Sequence, residues 1–156
     1  MPARIRKYQV GPKIIEYGDL VANTIQIAIP IVLLGKSVSI AIDSTGVKDS
    51  SGHFTLTSEM IKHLKSAYLE AHADAPSATD AVVVVELYNE TDGAVVASIS
   101  FSGAGGHSVS GDIKSDIENL AGKVLSGRIN VTTASGTAGA TQVFRSIVLR
   151  LVLGIS

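Results

Sequence analysis

The residue types that could support chemistry are concentrated in one glycine-rich stretch, Gly103–Gly111, which lies between a predicted strand and a predicted helix. Phosphate-binding loops occupy that position, but a dinucleotide loop requires a third glycine where this chain has Ser108. A nucleoside-triphosphate loop requires Gly-Lys-Ser/Thr, and here Gly111 is followed by Asp112. Because Asp112 also puts negative charge where the phosphate would bind, the stretch is predicted to be a connection and not a phosphate site.

The same stretch holds the residue types of a hydrolytic site, namely His107, Ser108, Ser110 and Asp112. A nucleophile, a base and an orienting carboxylate are the groups that such a site needs. Characterised triads take these groups from separate elements, however, and the sequence lacks the Gly-x-Ser-x-Gly pattern of a nucleophile elbow. We therefore predict that the protein is not an enzyme and that it uses no cofactor.

Metal ligands would have to come from the four histidines and from carboxylates, because the chain has no cysteine. His63 and His72 fall in one predicted helix, but a separation of nine residues at about 100° each places them on opposite faces. The predicted loop with Asp43, Asp49 and His53 offers oxygen ligands for calcium without the spacing of an EF-hand. No metal site is predicted, and calcium binding by this loop stays an open alternative.

Charged residues are few and are unevenly placed along the chain. Lys and Arg number 13 and Asp and Glu number 14, so that 17% of residues are charged, against about 25% in typical soluble domains. Residues 1–13 and 119–156 each carry four cations and no acid, and all 14 acids lie between Glu16 and Glu118. If the chain ends are adjacent in the fold, one basic region faces outward from an acidic body, and copies of the protein attract each other.

The basic ends also raise the question of which partners the protein binds. Nucleic acid has weak support, because eight scattered cations and 4% aromatic residues form no dense basic cluster and no stacking platform. The longest apolar region, residues 25–42, is interrupted by Gln26, Pro30 and Lys36, so it is predicted to form strands and not a membrane span. The first residues lack the apolar run of roughly 7–15 residues of a secretory signal, so we expect the protein inside the cell or in an assembled particle.

Hydrophobic periodicity predicts the strands that position these residues. Isoleucines alternate with other residues over Thr24–Ile31, and Pro30 places this strand at an edge or a bulge. Further strands are predicted at about 36–43, at 128–133 and at 141–153, the last two forming a hairpin. The strongest local signal is a hairpin of residues 82–88 and 94–101 around the turn Asn89–Gly93.

Two helices are predicted, and the remaining polar stretches are predicted to be loops. The first helix starts after an N-cap at Thr57 or Ser58 and carries Met60, Ile61, Leu64, Ala67, Tyr68 and Ala71 on one face. The second helix has Ile113, Ile117, Leu120 and Val124 in register and ends at Gly127. Residues 43–52 and 102–111 lack periodicity and are predicted to be loops.

Seven or eight strands in hairpin-like succession predict a mainly β protein, with one helix before and one after the central hairpin. The predicted fold is an antiparallel β-sandwich of jelly-roll type with two short inserted helices, forming a single domain of residues 1–156. An α+β fold, with one antiparallel sheet and two helices, is the alternative.

The last predicted strand suggests self-association, because both of its faces are apolar and a single sandwich covers only one of them. We therefore predict a non-enzymatic structural protein that forms a homo-oligomer or a larger self-assembly, such as a shell, capsid or other virion component, sheath or filament. A carbohydrate-binding or small-ligand-binding β-sandwich module is the alternative. The candidate interface residues are basic Arg4, Arg6, Arg145 and Arg150, apolar Val148, Leu151 and Leu153, and acidic Glu86, Glu90 and Asp92.

Overall fold

A computed structural model of the protein describes residues 24–30 and 37–154. These residues form nine strands and two short helices. In chain order the elements are β1 (Thr24–Pro30), β2 (Val38–Ala41), β3 (Gly46–Thr55), α1 (Ser58–Lys62), β4 (Leu64–Ala73), β5 (Val82–Asn89), β6 (Ala94–Ser102), β7 (Gly106–Val109), α2 (Lys114–Ile117), β8 (Val124–Thr133) and β9 (Thr141–Gly154).

The strands form two antiparallel sheets that pack face to face. Sheet 1 has the order β1-β9-β4-β7. Strand β2 also pairs with β9, on the same side of β9 as β1 but at the other end of that strand. Sheet 2 has the order β3-β8-β5-β6. The pairing is nested around the β5–β6 turn, since β5 pairs with β6, β4 with β7, β3 with β8 and β2 with β9. This wrapped arrangement is that of a jelly roll, so the predicted fold is confirmed and the single-sheet alternative is wrong.

The core lies between the two sheets and is built from alternate residues of the central strands. Phe101 and Phe144 meet edge to face, with ring centroids 5.5 Å apart and an interplanar angle of 89°, a geometry that aromatic pairs favour. The largest fully buried side chains are Phe144, Ile42, Leu56, Leu69, Leu87, Ile117, Leu125, Ile129, Ile147, Leu149 and Leu151.

The first predicted helix is correct only at its start. Thr57 is the N-cap, as expected, and its Oγ1 accepts a hydrogen bond of 3.1 Å from the backbone N–H of Met60. The helix ends at Lys62, and the rest of the predicted helix is strand β4. The sequence of β4 fits both periods, because Ala67, Leu69 and the alanines that follow also alternate with polar residues. Ladders to β9 and β7 decide in favour of the strand, since helix propensity is a weak preference that tertiary pairing overrides.

The second predicted helix is also mostly wrong, and so are the two predicted loops. A single turn, α2, remains of the helix, and β8 begins at Val124 instead of Arg128. Residues 46–55 and 106–109 form β3 and β7 despite their polar composition. Both are edge strands, which are held by the backbone ladder to one neighbour and need no continuous apolar face.

The predicted β8–β9 hairpin does not form. Strand β8 pairs with β3 and β5 in sheet 2, and β9 pairs with β1, β2 and β4 in sheet 1, so the connecting residues cross from one sheet to the other. The alternation of β9 is interrupted beside Arg145 and Ser146, where an irregularity shifts the register to β4. Phe144 therefore faces the core together with Ile147 and Leu149.

The turn after β6 requires glycine, because Gly103 has φ +64° and a Cβ there would overlap the carbonyl oxygen of Thr79. Gly139 has φ +73° but open space around it. We expect Gly139→Ala to lower the free energy of unfolding by about 1–2 kcal/mol through backbone strain alone. Gly103→Ala should cost about 1–3 kcal/mol more, because the Thr79 backbone must move. Urea unfolding of both variants tests this, and equal losses would contradict it.

Candidate interaction surface

The charge segregation seen along the sequence does not persist in space among the described residues. Each cation of the C-terminal segment forms an ion pair with a carboxylate of the middle segment. The four pairs are Lys123–Asp92, Arg128–Glu90, Arg145–Asp74 and Arg150–Glu70. They form because β8 and β9 lie beside β5 and β4, the strands that carry or flank these acids. These four cations are therefore neutralised within the chain.

Arg145 shows this neutralisation most clearly. Its Nε donates to both carboxylate oxygens of Asp74, at 3.0 and 2.9 Å, and its terminal Nη2 donates to Oδ2 as well. These hydrogen bonds from Arg145 hold the pKa of Asp74 below its ordinary value, and the same contact raises the pKa of Arg145. Arg145 was predicted to pair with a carboxylate of another copy. Its partner is instead Asp74 of its own chain.

Arg150 lies in a cluster on the outer face of sheet 1. It donates through Nε to Glu70, and its guanidinium carbon lies 4.4 Å from the centroid of the Tyr68 ring. His107 Nε2 lies 3.5 Å from the other oxygen of Glu70. Val148 is opposite Glu70 in the β4–β9 register, so it shares this face and is half-buried. Arg150 and Val148 are thus at the surface, in a sheet face whose charges are already compensated.

Two apolar interface candidates of β9 lie on the other side of the strand. Leu151 is only 1% exposed and packs in the core, so it is withdrawn from the candidate surface. Leu153 is half-buried and pairs with Ile25 of β1 on the core side of sheet 1. Arg4 and Arg6 lie outside the described residues.

The acidic interface candidates lie on sheet 2 and its β5–β6 turn, where the chain's own groups satisfy them. Glu86 is 8% exposed and accepts a hydrogen bond from Asn130 Nδ2 at 3.2 Å. Glu90 accepts from the Ser126 hydroxyl at 2.6 Å and from Arg128 at 3.1 and 3.2 Å, and these contacts lower its pKa.

Asp92 is bound in the same turn. Lys123 Nζ donates to one of its oxygens at 3.0 Å and Asn89 Nδ2 to the other at 2.7 Å, and both contacts lower its pKa. The predicted attraction between a basic and an acidic patch on different copies is therefore not supported by these residues.

Two of the four residues with the side chains of a hydrolytic site, Ser110 and Asp112, hold the backbone of β4. Ser110 Oγ accepts from the N–H of Leu69 at 2.9 Å, and Asp112 Oδ1 accepts from the N–H of Ala67 at 2.9 Å, so both fasten the segment after β7 to strand β4. His107 faces outward towards Glu70, whereas Ser108 is paired with the core-facing Ala71 on the opposite face of β7. The structure does not bring these groups together as a triad.

The candidate calcium ligands are likewise separated. Asp43 precedes β3 and accepts from the N–H of Gly139, whereas His53 near the other end of β3 lies 3.9 Å from Glu90. His72 and His107 are directly opposite on β4 and β7, a juxtaposition that the sequence did not reveal. Even so, no three histidine or acidic side chains in ranges 24–30 and 37–154 are arranged to hold a metal ion. Within those ranges, no helix has the length and apolar character to cross a membrane.

The sheet edges present a different kind of surface, which sequence reasoning missed. Four valines are the large apolar side chains most exposed in the described part of the chain, and three of them lie on edge strands. Val47 on β3 is 49% exposed, Val95 on β6 is 51% and Val109 on β7 is 42%. Exposed apolar residues on unpaired edges favour association with another strand, because natural edges usually carry charge or proline instead. The sequence shows that the run from Ala94 to Ser102 is uncharged, but it does not show that this run lies at the edge of a sheet.

No protein-family model and no curated protein matches the sequence. Among solved structures, the chain is similar to one in the structure of the Gx strain of infectious bursal disease virus, with a TM-score of 0.42 and 14% identity over 96% of this chain and 37% of that one. It is also similar to a chain of Bacillus endospore appendages, described as a novel family of disulfide-linked pili, with a TM-score of 0.35 and 12% identity over 85% of this chain and 89% of that one. The protein thus spans just over a third of the viral chain. Similarity at this level carries no functional implication.

The ion pair of Arg145 makes a prediction about pH. Because the folded pKa of Asp74 lies below its ordinary value of 3.8, the stabilisation is complete above that value and is lost as the pH falls through the lowered pKa. Arg145→Gln removes the donors, so this variant should be less stable than the parent at neutral pH and equally stable in strong acid.

Urea unfolding at a series of pH values measures this difference. Lys62→Gln is the matched control, because Lys62 forms an exposed ion pair with Glu59 that contributes little. A difference between Arg145→Gln and the parent that stays constant with pH would contradict the assignment.

Proposed function

We propose that the protein is a non-enzymatic structural subunit that assembles with copies of itself into a shell, capsid, sheath or filament. The observation that carries this proposal is the pair of exposed valines on an edge strand of each sheet, Val95 on β6 of sheet 2 and Val109 on β7 of sheet 1. A copy that uses edges of both sheets contacts more than one neighbour, and contacts of that kind build extended assemblies.

The electrostatics of the chain agree with self-association. The formal net charge is −1, so copies do not repel one another strongly. The described cations near the C-terminus are held in internal ion pairs, so they add little unbalanced positive charge to the surface. The same pairing weakens the case for nucleic acid, since Arg145 and Arg150 already face carboxylates.

The alternative, a module that binds carbohydrate or another small ligand, has less support. Binding sites of this kind use aromatic rings as platforms. In the described part of the chain, Tyr68 and Tyr88 are covered by arginines, Phe101 and Phe144 face each other in the core, and Phe54 packs against the core.

A depression in the surface does not change this view. It has a volume of about 310 Å³ and lies at the start of β6, between Val95 and Leu120. Of its two carboxylates, Asp92 is already bonded to Asn89 and Lys123, and Asp116 is the other. No aromatic ring of the described residues lines the depression, so the structural role is the better supported of the two.

Size-exclusion chromatography with light scattering tests the proposal. We expect a particle mass several times the 16.2 kDa of the chain. The mass should not fall between about 0.05 M and about 1 M salt, because apolar edge contacts are not screened by ions. A monomer throughout this range would refute the structural role.

Lysine substitutions show whether the edges are responsible. The combined variant Val95→Lys and Val109→Lys should lower the particle mass, since an edge lysine opposes strand pairing. The control carries two lysines at exposed loop positions, Asn119 and Thr137, and should keep the mass of the parent. Equal behaviour of the two variants would remove the edges from the proposal.

A further inference from the structure

Strand β6 has an edge that the described chain leaves open. It is the last strand of sheet 2 and pairs only with β5. No backbone or side-chain hydrogen bond from elsewhere in ranges 24–30 and 37–154 reaches residues 94–102. In an antiparallel pair, alternate residues direct both backbone groups away from the partner strand, so β6 presents a row of unpaired donors and acceptors.

The other described edges carry features that oppose pairing. Strand β3 contains Lys48 and Asp49 and has two register shifts against β8. Strands β2 and β7 have only four residues each, and β1 ends at Pro30, which has no N–H to donate. Strand β6 has nine residues with no charge and no proline. It is therefore the edge that is best suited to a further strand.

The two faces of β6 also suit an additional strand. Ser98 and Ser100 are opposite Glu86 and Val84, so with Ser102 they lie on the outer face, where small side chains leave room. Ile99 and Phe101 alternate with them and face the core. The register shift against β5 lies before this stretch, at Leu87 and Tyr88, so residues 97–102 form a regular ladder.

We propose that β6 pairs antiparallel with β6 of a second copy about a two-fold axis at Ser100, which joins the two copies of sheet 2 into one continuous eight-stranded sheet. The inference rests on the proposed self-assembly and names the surface that carries it. A two-fold axis between antiparallel strands must place one residue opposite itself. With Ser100 on the axis, Ser98 is opposite Ser102 and Ile99 is opposite Phe101 of the other copy.

A second copy fits this edge because the stretch is self-complementary. A two-fold contact brings a charge at or beside the axis close to the same charge of the other copy, and β6 has no charged residue. Glu86, which is opposite Ser98 on the adjacent strand, accepts a hydrogen bond from Asn130. The Ile99–Phe101 pairs across the axis add aliphatic–aromatic contacts on the core side.

Single cysteines test the contact and its register, because the natural chain has none. Ser100→Cys should form a disulfide-linked dimer under mild oxidation at least ten times faster than Thr55→Cys, an exposed residue on the β3 edge of the same sheet. Ser98→Cys mixed with a mass-tagged Ser102→Cys should form the mixed dimer faster than Ser98→Cys forms a dimer with itself.

The outcomes separate this inference from the proposed function. If the parent chain is a large particle and Ser100→Cys links no faster than Thr55→Cys, the β6 contact is refuted and self-assembly stands. If Ser100→Cys links faster to Ala28→Cys on β1 of another copy than to itself, the partner strand is β1 and the two-fold pairing is refuted. If the parent chain is a monomer, both fail.

A charge at the axis gives an independent measurement. Ser100→Lys brings two ammonium groups together at the two-fold axis, so the concentration at which the β6 contact half-dissociates should rise at least tenfold. Thr55→Lys should leave it unchanged. Ser100 is exposed, so both variants should keep the urea midpoint of the parent, and an unchanged dissociation of Ser100→Lys would overturn the proposal.

Discussion

The ladder of β9 is the interaction on which most of the molecule depends. This strand of 14 residues pairs with β4 on one side and with β1 and β2 on the other, so it closes the wrapped hairpin. The same ladder sets Arg150 opposite Tyr68 and next to Glu70, and it brings Arg145 to Asp74. Strand pairing thus places the four cations of the C-terminal segment beside carboxylates of the acidic middle segment.

The parts of the fold that the sequence revealed are those that local interactions decide. The β5–β6 hairpin needs only alternating side chains and a turn around Asn89, whose side chain accepts hydrogen bonds from the N–H groups of Thr91 and Asp92. The N-cap at Thr57 is equally local. Strand β4 was mistaken for a helix because its spacing fits both periods, and only its neighbours in space select one. The polar strand β3 was missed for the same reason, since its ladder to β8 joins residues that are far apart in sequence.

The candidate surface shows the same difference between features that local sequence decides and features that depend on distant residues. The sequence predicted that Arg145 and Arg150 meet an acidic surface of another copy, whereas the structure pairs each of them with a carboxylate of its own chain. Their partners Asp74 and Glu70 lie 71 and 80 residues earlier, so the composition of the ends did not show that the pairs form within one chain. The sequence also did not show which strand of the β5–β6 hairpin lies at an edge. That depends on which of the two strands pairs with β8, and β8 pairs with β5.

If copies associate as proposed, the unequal edges of sheet 2 decide which kind of assembly they form. A sheet with two open edges adds copies without limit, whereas one with a protected β3 and an open β6 grows at one side only. A two-fold contact at β6 uses that edge completely, so the joined sheet ends in a β3 strand at each side, where Lys48 and Asp49 oppose further pairing. Growth beyond a dimer therefore requires contacts of another kind, and sheet 1, with Val109 at its β7 edge, is the surface left for them. Two contacts with different chemistry give a dimeric building block that assembles in a second step, and the strengths of the two steps can be tuned separately.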